Sequence, residues 1–183
     1  MRIVGGAWRG RRLAAPPAAA TRPTADRVRQ ALFDMLLHAP WAGRAALEGV
    51  AVLDAFAGTG ALGLEALSRG AGHAAFIDSD RAALAALRAN IATLGAAGRT
   101  SVLAADATRP PPGTPCALVF LDPPYAAGRV ATAVAALSAA GWIAPGALIV
   151  AERPRDAAAD LPGEPLATRT HGAARLDIWR AAR

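Results

Sequence analysis

The sequence predicts an α/β fold, a mostly parallel seven-stranded sheet with helices on both faces. Three observations carry this prediction. Short apolar runs alternate with amphipathic stretches from Val50 onward. Their spacing is that of a parallel sheet with crossover helices. A glycine-rich turn, Gly58-Thr59-Gly60, joins the first run to the first helical stretch.

The elements follow in order. The first 23 residues are rich in chain breakers: Gly5, Gly6, Gly10, Pro16, Pro17 and Pro23. Arg2-Ile3-Val4 and Arg11-Arg12-Leu13 read as two short strands joined around Gly-Ala-Trp-Arg-Gly. Thr24 is placed to cap a helix, with Asp26 in its first turn. Val28, Ala31, Leu32, Met35 and Leu36 recur at helical spacing, and Pro40 and Gly43 end that helix. Residues 1–45 are therefore expected to form a basic arm and helix, and residues 46–183 the main domain. Within the latter, 50–55 reads as a buried strand and 61–69 as a helix stopped by Gly70. Residues 73–77 read as a second strand, 81–94 as a helix and 101–104 as a third strand. A Pro/Gly/Ala loop over 107–115 leads to a fourth strand at 118–121. A helix over 129–140, a strand over 147–151 and a closing hairpin over 166–179 complete the chain.

Composition narrows the class. The chain has 183 residues, of which 54% are hydrophobic, enough for one core. A single cysteine, Cys116, allows no internal disulfide, which fits a reducing, cytoplasmic setting. No apolar stretch reaches membrane-spanning length, so no membrane partner is expected. The opening residues are charged and glycine-rich rather than apolar, so no export signal is expected. His38, His73 and His171 lack ligand spacing, so no metal is expected. Trp41, Trp142 and Trp179 read as packing residues, whereas Trp8, among arginines, could stack on RNA.

The net charge of +6 has a location. Every basic residue is arginine, and residues 1–30 hold seven of them against one acid, Asp26. The rest of the chain balances. Guanidinium forks pair with phosphate oxygens and release counterions, so Arg9, Arg11, Arg12, Arg22, Arg27 and Arg29 are candidate phosphate contacts, although the helix can turn some of Arg22, Arg27 and Arg29 toward the domain's own carboxylates. Composition alone equally allows a solvated arm. Because every candidate cofactor residue lies beyond Val50, RNA affinity is expected to depend on the arm and cofactor affinity is not.

Gly58, Gly60 and Gly63 spell G-x-G-x-x-G, and Asp78 lies at the end of the next strand, as in nicotinamide-binding folds. Two details point elsewhere. Asp54 ends the first strand just ahead of the loop, where it would repel a pyrophosphate and welcome an ammonium. The run Asp54-Ala-Phe56-Ala-Gly58-Thr-Gly60 orders acid and glycines as methyltransferases do. Gly58 and Gly60 would let the backbone approach the ligand, and the helix N-terminus would favour a methionine carboxylate. Asp78 would accept the ribose hydroxyls and Asp106 the adenine amino group. Phe56, Ser79 and Ala107 flank these acids as further cofactor positions. The implied cofactor is S-adenosyl-L-methionine.

Asp122-Pro123-Pro124-Tyr125 follows the fourth strand. An exocyclic amine is a poor nucleophile because its lone pair is delocalised into the base. Asp122 and the Pro123 carbonyl can accept both amine hydrogens, and Tyr125 can stack on the base. A base inside a helix is out of reach, so the target must be flipped or unpaired. Read alone, the tetrapeptide is a rigid turn.

With these residues stated, the chain resembles the RsmD family, the small-subunit (16S) ribosomal RNA guanine-N2 methyltransferases. The resemblance covers nearly the whole chain. It is carried by Arg2-Ile-Val-Gly-Gly-Ala-Trp-Arg-Gly-Arg11, Arg22-Pro-Thr-Ala-Asp-Arg-Val-Arg-Gln-Ala-Leu-Phe33, the run from Leu53 to Arg69, and Asp122-Pro-Pro-Tyr125. It implies a Rossmann-like class I methyltransferase fold, S-adenosylmethionine as cofactor, and ribosomal RNA or an assembling small subunit as partner, with the protein acting as a monomer. Cofactor roles would fall on Asp54, Gly58, Gly60, Asp78 and Asp106, and catalytic roles on Asp122, Pro123 and Tyr125. Gln30 and Asp78 stand where the family has Glu, and Leu176 where Tyr is expected. Other readings stay open on the sequence: a DNA or other RNA amino-methyltransferase, an NAD-dependent oxidoreductase, or a non-catalytic RNA-binding module.

Overall fold

The computed structural model of the chain describes residues 1–15, 23–123, 128–155, 162–172 and 174–182. Its helices are α1 (Pro23–His38), α2 (Ala61–Ser68), α3 (Arg81–Leu94) and α4 (Arg129–Ala139). Its strands are β1 (Ala51–Ala55), β2 (His73–Asp78), β3 (Thr100–Ala104), β4 (Cys116–Leu121), β5 (Ile143–Pro154), β6 (Glu164–His171) and β7 (Ala174–Arg180). All seven strands form one sheet in the order β3-β2-β1-β4-β5-β7-β6. Strands β1 to β5 pair in parallel, and β7 runs antiparallel to both β5 and β6. No described helix is long and apolar enough to cross a membrane.

Side chains alternate across a strand, and that alternation builds two cores. Val52, Phe76, Phe120 and Val150 face α1, α2 and α3. Leu53, Ile77, Leu121 and Ile149 face α4. On the three-helix side Phe33 of α1 meets Phe120 at 5.6 Å between ring centroids. Ile3 and Leu13 of the arm are buried in that same core. The described part of residues 1–45 thus shares the core of the main domain.

The expected pair of arm strands is a single antiparallel bridge between Arg2 and Arg12. The Ile3 amide donates to the Arg11 carbonyl at 2.9 Å, and that of Leu13 to the Met1 carbonyl at 3.1 Å. A 3-10 turn at Gly6–Trp8 closes the loop. Gly6 has φ 72°, and a β-carbon there would lie 1.9 Å from the Ser68 carbonyl oxygen, so only glycine lets the turn sit on the end of α2. The Ser68 hydroxyl donates to the Gly5 carbonyl at 2.6 Å and accepts from the Trp8 amide at 2.9 Å.

Two of the differences in element boundaries have a physical reason. Helix α1 begins at Pro23, so Thr24 lies inside its first turn and is not the cap. Proline suits a first helical position because its missing N–H would have no partner there. Strand β5 runs from Ile143 through Pro154 rather than over 147–151. Pro145-Gly146 falls within the register shift of the pairing with β4, between Ile143 and Leu148.

Candidate active site at the strand ends

The alternation that builds the core also aligns the acids. Asp54, Asp78 and Asp122 continue the phase of Val52, Phe76 and Phe120, so all three project on the three-helix side. Asp54 is level with Phe76 on one neighbouring strand and Phe120 on the other. Asp78 and Asp122 lie two residues further along those strands, roughly 7 Å further out. Depth follows: Asp54 is buried, Asp78 half-buried and Asp122 exposed at the rim.

Asp54 accepts a hydrogen bond from the Gly63 amide at 2.8 Å. Gly63 belongs to the first turn of α2, so this carboxyl occupies the helix N-terminus from below. Burial pushes its pKa up to about 8; the Gly63 amide opposes the shift, and Asp122 and Asp78 add to it. A buried carboxyl held neutral in this way is matched to a cationic ligand group.

Asp78 accepts from the Gly58 amide at 2.7 Å and from the Asp80 amide at 2.8 Å, one bond on each oxygen. That fixes the carboxylate and leaves a lone pair on each oxygen for a pair of hydroxyls. Ser79 beside it is exposed. Asp106 takes the Thr108 amide at 2.9 Å and hydroxyl at 2.8 Å on one oxygen. These bonds hold its carboxyl below the usual range, and Ala107 is buried beneath it.

The glycines divide their labour. Gly58, at φ 54°, has open space where a β-carbon would stand, so a ligand can come up to the backbone there. A β-carbon on Gly60 would lie 2.3 Å from Leu87, and one on Gly63 2.4 Å from Phe76. Those two glycines serve the packing of α2 and α3 on the sheet. The Gly60 amide is already bonded to the Ala57 carbonyl at 2.7 Å. Phe56, at φ 60°, is a non-glycine residue with positive φ, a strain that persists only where surrounding structure imposes it.

Asp122 follows β4 beside Glu152, which follows the paired β5 residue Ala151. The surrounding protein desolvates the Asp122 carboxyl and the Glu152 charge adds to the effect, raising it to about 7. Pro123 is described; Pro124 and Tyr125 lie outside the described residues, as does Arg22 of the arm.

The arm arginines separate into two groups. Arg9, Arg11, Arg12 and Arg27 are exposed, and no described acid pairs with them. Arg29, expected to face RNA, is instead 5% exposed. It pairs with Asp26 at 2.9 Å and Glu65 at 3.6 Å and donates to the Arg2 carbonyl. A buried carboxylate on α2 drew it inward, and its role is to pin the arm. Trp8 already has a partner in the Arg99 guanidinium, 5.2 Å above its ring. Trp142 and Trp179 are buried, as expected of packing residues. Cys116 is buried as well, and burial pushes its thiol up to about 11.

Sequence reading missed two positions at the loop. Asp80 caps α3 by accepting from the Ala83 amide at 2.7 Å. Asn90, 2% exposed, bonds to both the arm and the loop. Its signal was there to read, a polar residue within the apolar stripe Leu84, Leu87, Ile91 and Leu94.

The sheet order decides between cofactors. Dinucleotide folds have the order 3-2-1-4-5-6, whereas here the antiparallel β7 lies between β5 and β6. Fold and site together define an S-adenosylmethionine-dependent methyltransferase with a Rossmann-like class I fold. Residues 1–178 match the family described as Conserved hypothetical protein 95, and the chain belongs to this family, the RsmD family its motifs resemble. It is 45% identical over 154 residues to Ribosomal RNA small subunit methyltransferase D of Escherichia coli strain K12, covering 83% of this chain and 74% of that relative. It is 35% identical over 161 residues to the protein of the same name in Haemophilus influenzae, covering 85% and 80%. The solved structure of yhhF from Escherichia coli superposes with a TM-score of 0.85 at 37% identity, over 100% of this chain and 98% of that one.

Proposed function

We propose that the protein transfers a methyl group from S-adenosylmethionine to the exocyclic N2 amine of a guanine in small-subunit ribosomal RNA. The observation that carries this reading is the position of Asp122. It stands at the rim of β4, on the same face as Asp54 and one strand from the glycine loop. The family relatives, named for small-subunit ribosomal RNA methylation, support the substrate class.

The donor set fits the cofactor: a neutral buried acid for the ammonium, an open approach at Gly58, and the oriented Asp78 carboxylate for the ribose. Asp106 keeps one oxygen clear of Thr108 for the adenine amine, and Phe56, Ser79 and Ala107 line the same edge. When bound, S-adenosylmethionine supplies an electrophilic methyl group on sulfur. Asp122 accepts one hydrogen of the target amine and the Pro123 carbonyl the other, which concentrates the nitrogen lone pair along the transfer direction. Proline leaves no competing amide at that turn. The proton shed as the nitrogen gains its fourth bond passes to the Asp122 carboxylate. Since that carboxyl sits near 7, transfer should rise with pH through neutrality as Asp122 ionises. Pro124 and Tyr125 complete the tetrapeptide, the ring of Tyr125 serving as a stacking surface for the base. Positioning and electrostatics are the protein's whole contribution.

The basic arm supports a nucleic-acid substrate. Arg9, Arg11, Arg12 and Arg27 stand exposed on it, with Arg22 in the same segment, and they would contact phosphate. The test is nucleoside mapping of ribosomal RNA from cells with and without the gene. Loss of one N2-methylguanosine from the small-subunit RNA is expected. An unchanged RNA, or loss of a methylated adenine instead, would refute the reading.

A further inference from the structure

We infer that the N-terminal arm is part of the cofactor site, with Asn90 as the positioning residue that joins arm to glycine loop. From sequence the two are independent, because the cofactor residues all lie beyond Val50. The structure ties them together. The Asn90 side chain on α3 accepts from the Ala14 amide at 2.7 Å and donates to the Ala14 carbonyl at 3.0 Å. Its second amide hydrogen goes to the Thr59 carbonyl at 3.0 Å. Both donors and the acceptor are used, so the side chain has one orientation. Turned over, its oxygen would face two carbonyls.

Thr59 is the middle residue of the loop, and that loop needs fixing. Phe56, Gly58 and Gly60 all have positive φ, and a backbone of this kind holds only where its surroundings over-determine it. From the sheet side, the Ala57 amide donates to the Ile77 carbonyl at 3.1 Å, and Asp78 holds the Gly58 amide. From the other side the loop is held at Thr59, by Asn90 on its carbonyl and by its hydroxyl meeting the Met1 sulfur at 3.4 Å. The arm therefore supplies two of the loop's supports, one through Asn90 and one directly. A continuous polar path runs from Ala14 through Asn90 and Thr59 to Gly58, whose amide orients Asp78. Loosening its outer end should reach the ribose-binding carboxylate.

The inference rests on the reading of this loop as the cofactor loop, and the experiment separates the two. S-adenosylhomocysteine binding is measured by calorimetry on the wild type, Asn90→Ala, Asn90→Asp and Ala14→Pro, with melting and both KM values on the same preparations. Asn90→Asp keeps an acceptor for the Ala14 amide but loses both donated bonds. Ala14→Pro removes the arm's donor, at the cost of fixing φ at that position, and leaves Asn90 in place. Each hydrogen bond is worth about a fivefold change. Asn90→Ala, which loses all three bonds, should weaken binding by up to about a hundredfold, Asn90→Asp, which loses two, by up to about twenty-five-fold, and Ala14→Pro by about fivefold. KM for S-adenosylmethionine should rise in step while KM for RNA holds, a split that a general loss of stability would not produce. Wild-type affinity in folded Ala14→Pro, or equal losses in both KM values, would overturn the inference. Should Asn90→Ala fail to fold, Ala14→Pro decides alone. No binding by the wild type would instead overturn the reading of the loop.

Discussion

Glu65 and Asp54 are both buried carboxyl groups against helix α2, and their surroundings differ. Glu65 accepts from the Val4 amide and the Arg69 guanidinium, each at 2.8 Å, with Arg29 at 3.6 Å. Arg69 in turn lies 5.0 Å over the Phe33 ring and reaches Asp34 at 3.7 Å. Around Glu65 charge is matched within the chain, and the arm, α1 and α2 are locked together. Asp54 is held by a backbone amide, and its neighbours Asp78 and Asp122 are acids too. Charge that holds a fold is balanced inside it. An acid placed to meet a ligand is held by a backbone amide and stays protonated until a cationic group draws the proton off.

The contrast can be broken most strongly at Glu65. Glu65→Ala leaves Arg29 and Arg69 buried without their carboxylate, and removing one partner of a buried pair costs about 3–5 kcal/mol. Chemical denaturation should show that loss. A cost under about 1 kcal/mol, the scale of an exposed pair, would mean the network does not lock the arm.

Next in size is the arm itself, where exposed and buried arginines should part company. Neutralising Arg9, Arg11 and Arg12 together should lower RNA affinity and flatten its salt dependence. The log–log slope should fall by roughly 0.7 to 0.9 for each phosphate that no longer meets an arginine. Melting should hardly change. Arg29→Ala should do the reverse, lowering the melting temperature because Glu65 and Asp26 lose a partner. Salt-titrated binding and melting on one preparation separate these outcomes; a triple variant that melts early with its slope intact would make the exposed arginines structural.

The smallest effect is a proton. Asp54 is raised from 3.8 to about 8, so the folded state binds a proton that the unfolded chain releases. Its contribution to stability is complete below about pH 4 and is lost as pH rises through 8. Asp54→Asn can still accept from Gly63 and cannot titrate, so its melting profile should be flatter across that window. At pH 7 an arriving ammonium should draw the proton off, so wild-type calorimetry in buffers of different ionisation enthalpy should show release of up to one proton. Asp54→Asn should show none. Equal release by both would detach Asp54 from the ligand.

Much of this was legible in the sequence, for a physical reason. In β1, β2 and β4 a short apolar run followed by an acid marks Asp54, Asp78 and Asp122 as strand-end residues. Local chemistry carries that information. What long-range packing decides was not legible. The packing at Gly60 and Gly63, where Leu87 and Phe76 occupy the space of a β-carbon, is of this kind. Arg29 read as one more arm arginine until Glu65, 36 positions along, claimed it. The strand pairing that carries β5 past Pro145-Gly146 is likewise set by its neighbours.

Asp122→Ala tests the central claim most directly, with cofactor binding and methyl transfer measured side by side. S-adenosylhomocysteine affinity should stay within about twofold of wild type, because Asp122 follows β4 whereas the proposed cofactor groups stand on β1, β2 and the glycine loop. Methyl transfer to small-subunit RNA should fall by about two to three orders of magnitude, the scale of deleting one preorganised polar group aimed at a reacting centre. Turnover near wild type would reduce the tetrapeptide to a turn and contradict the account.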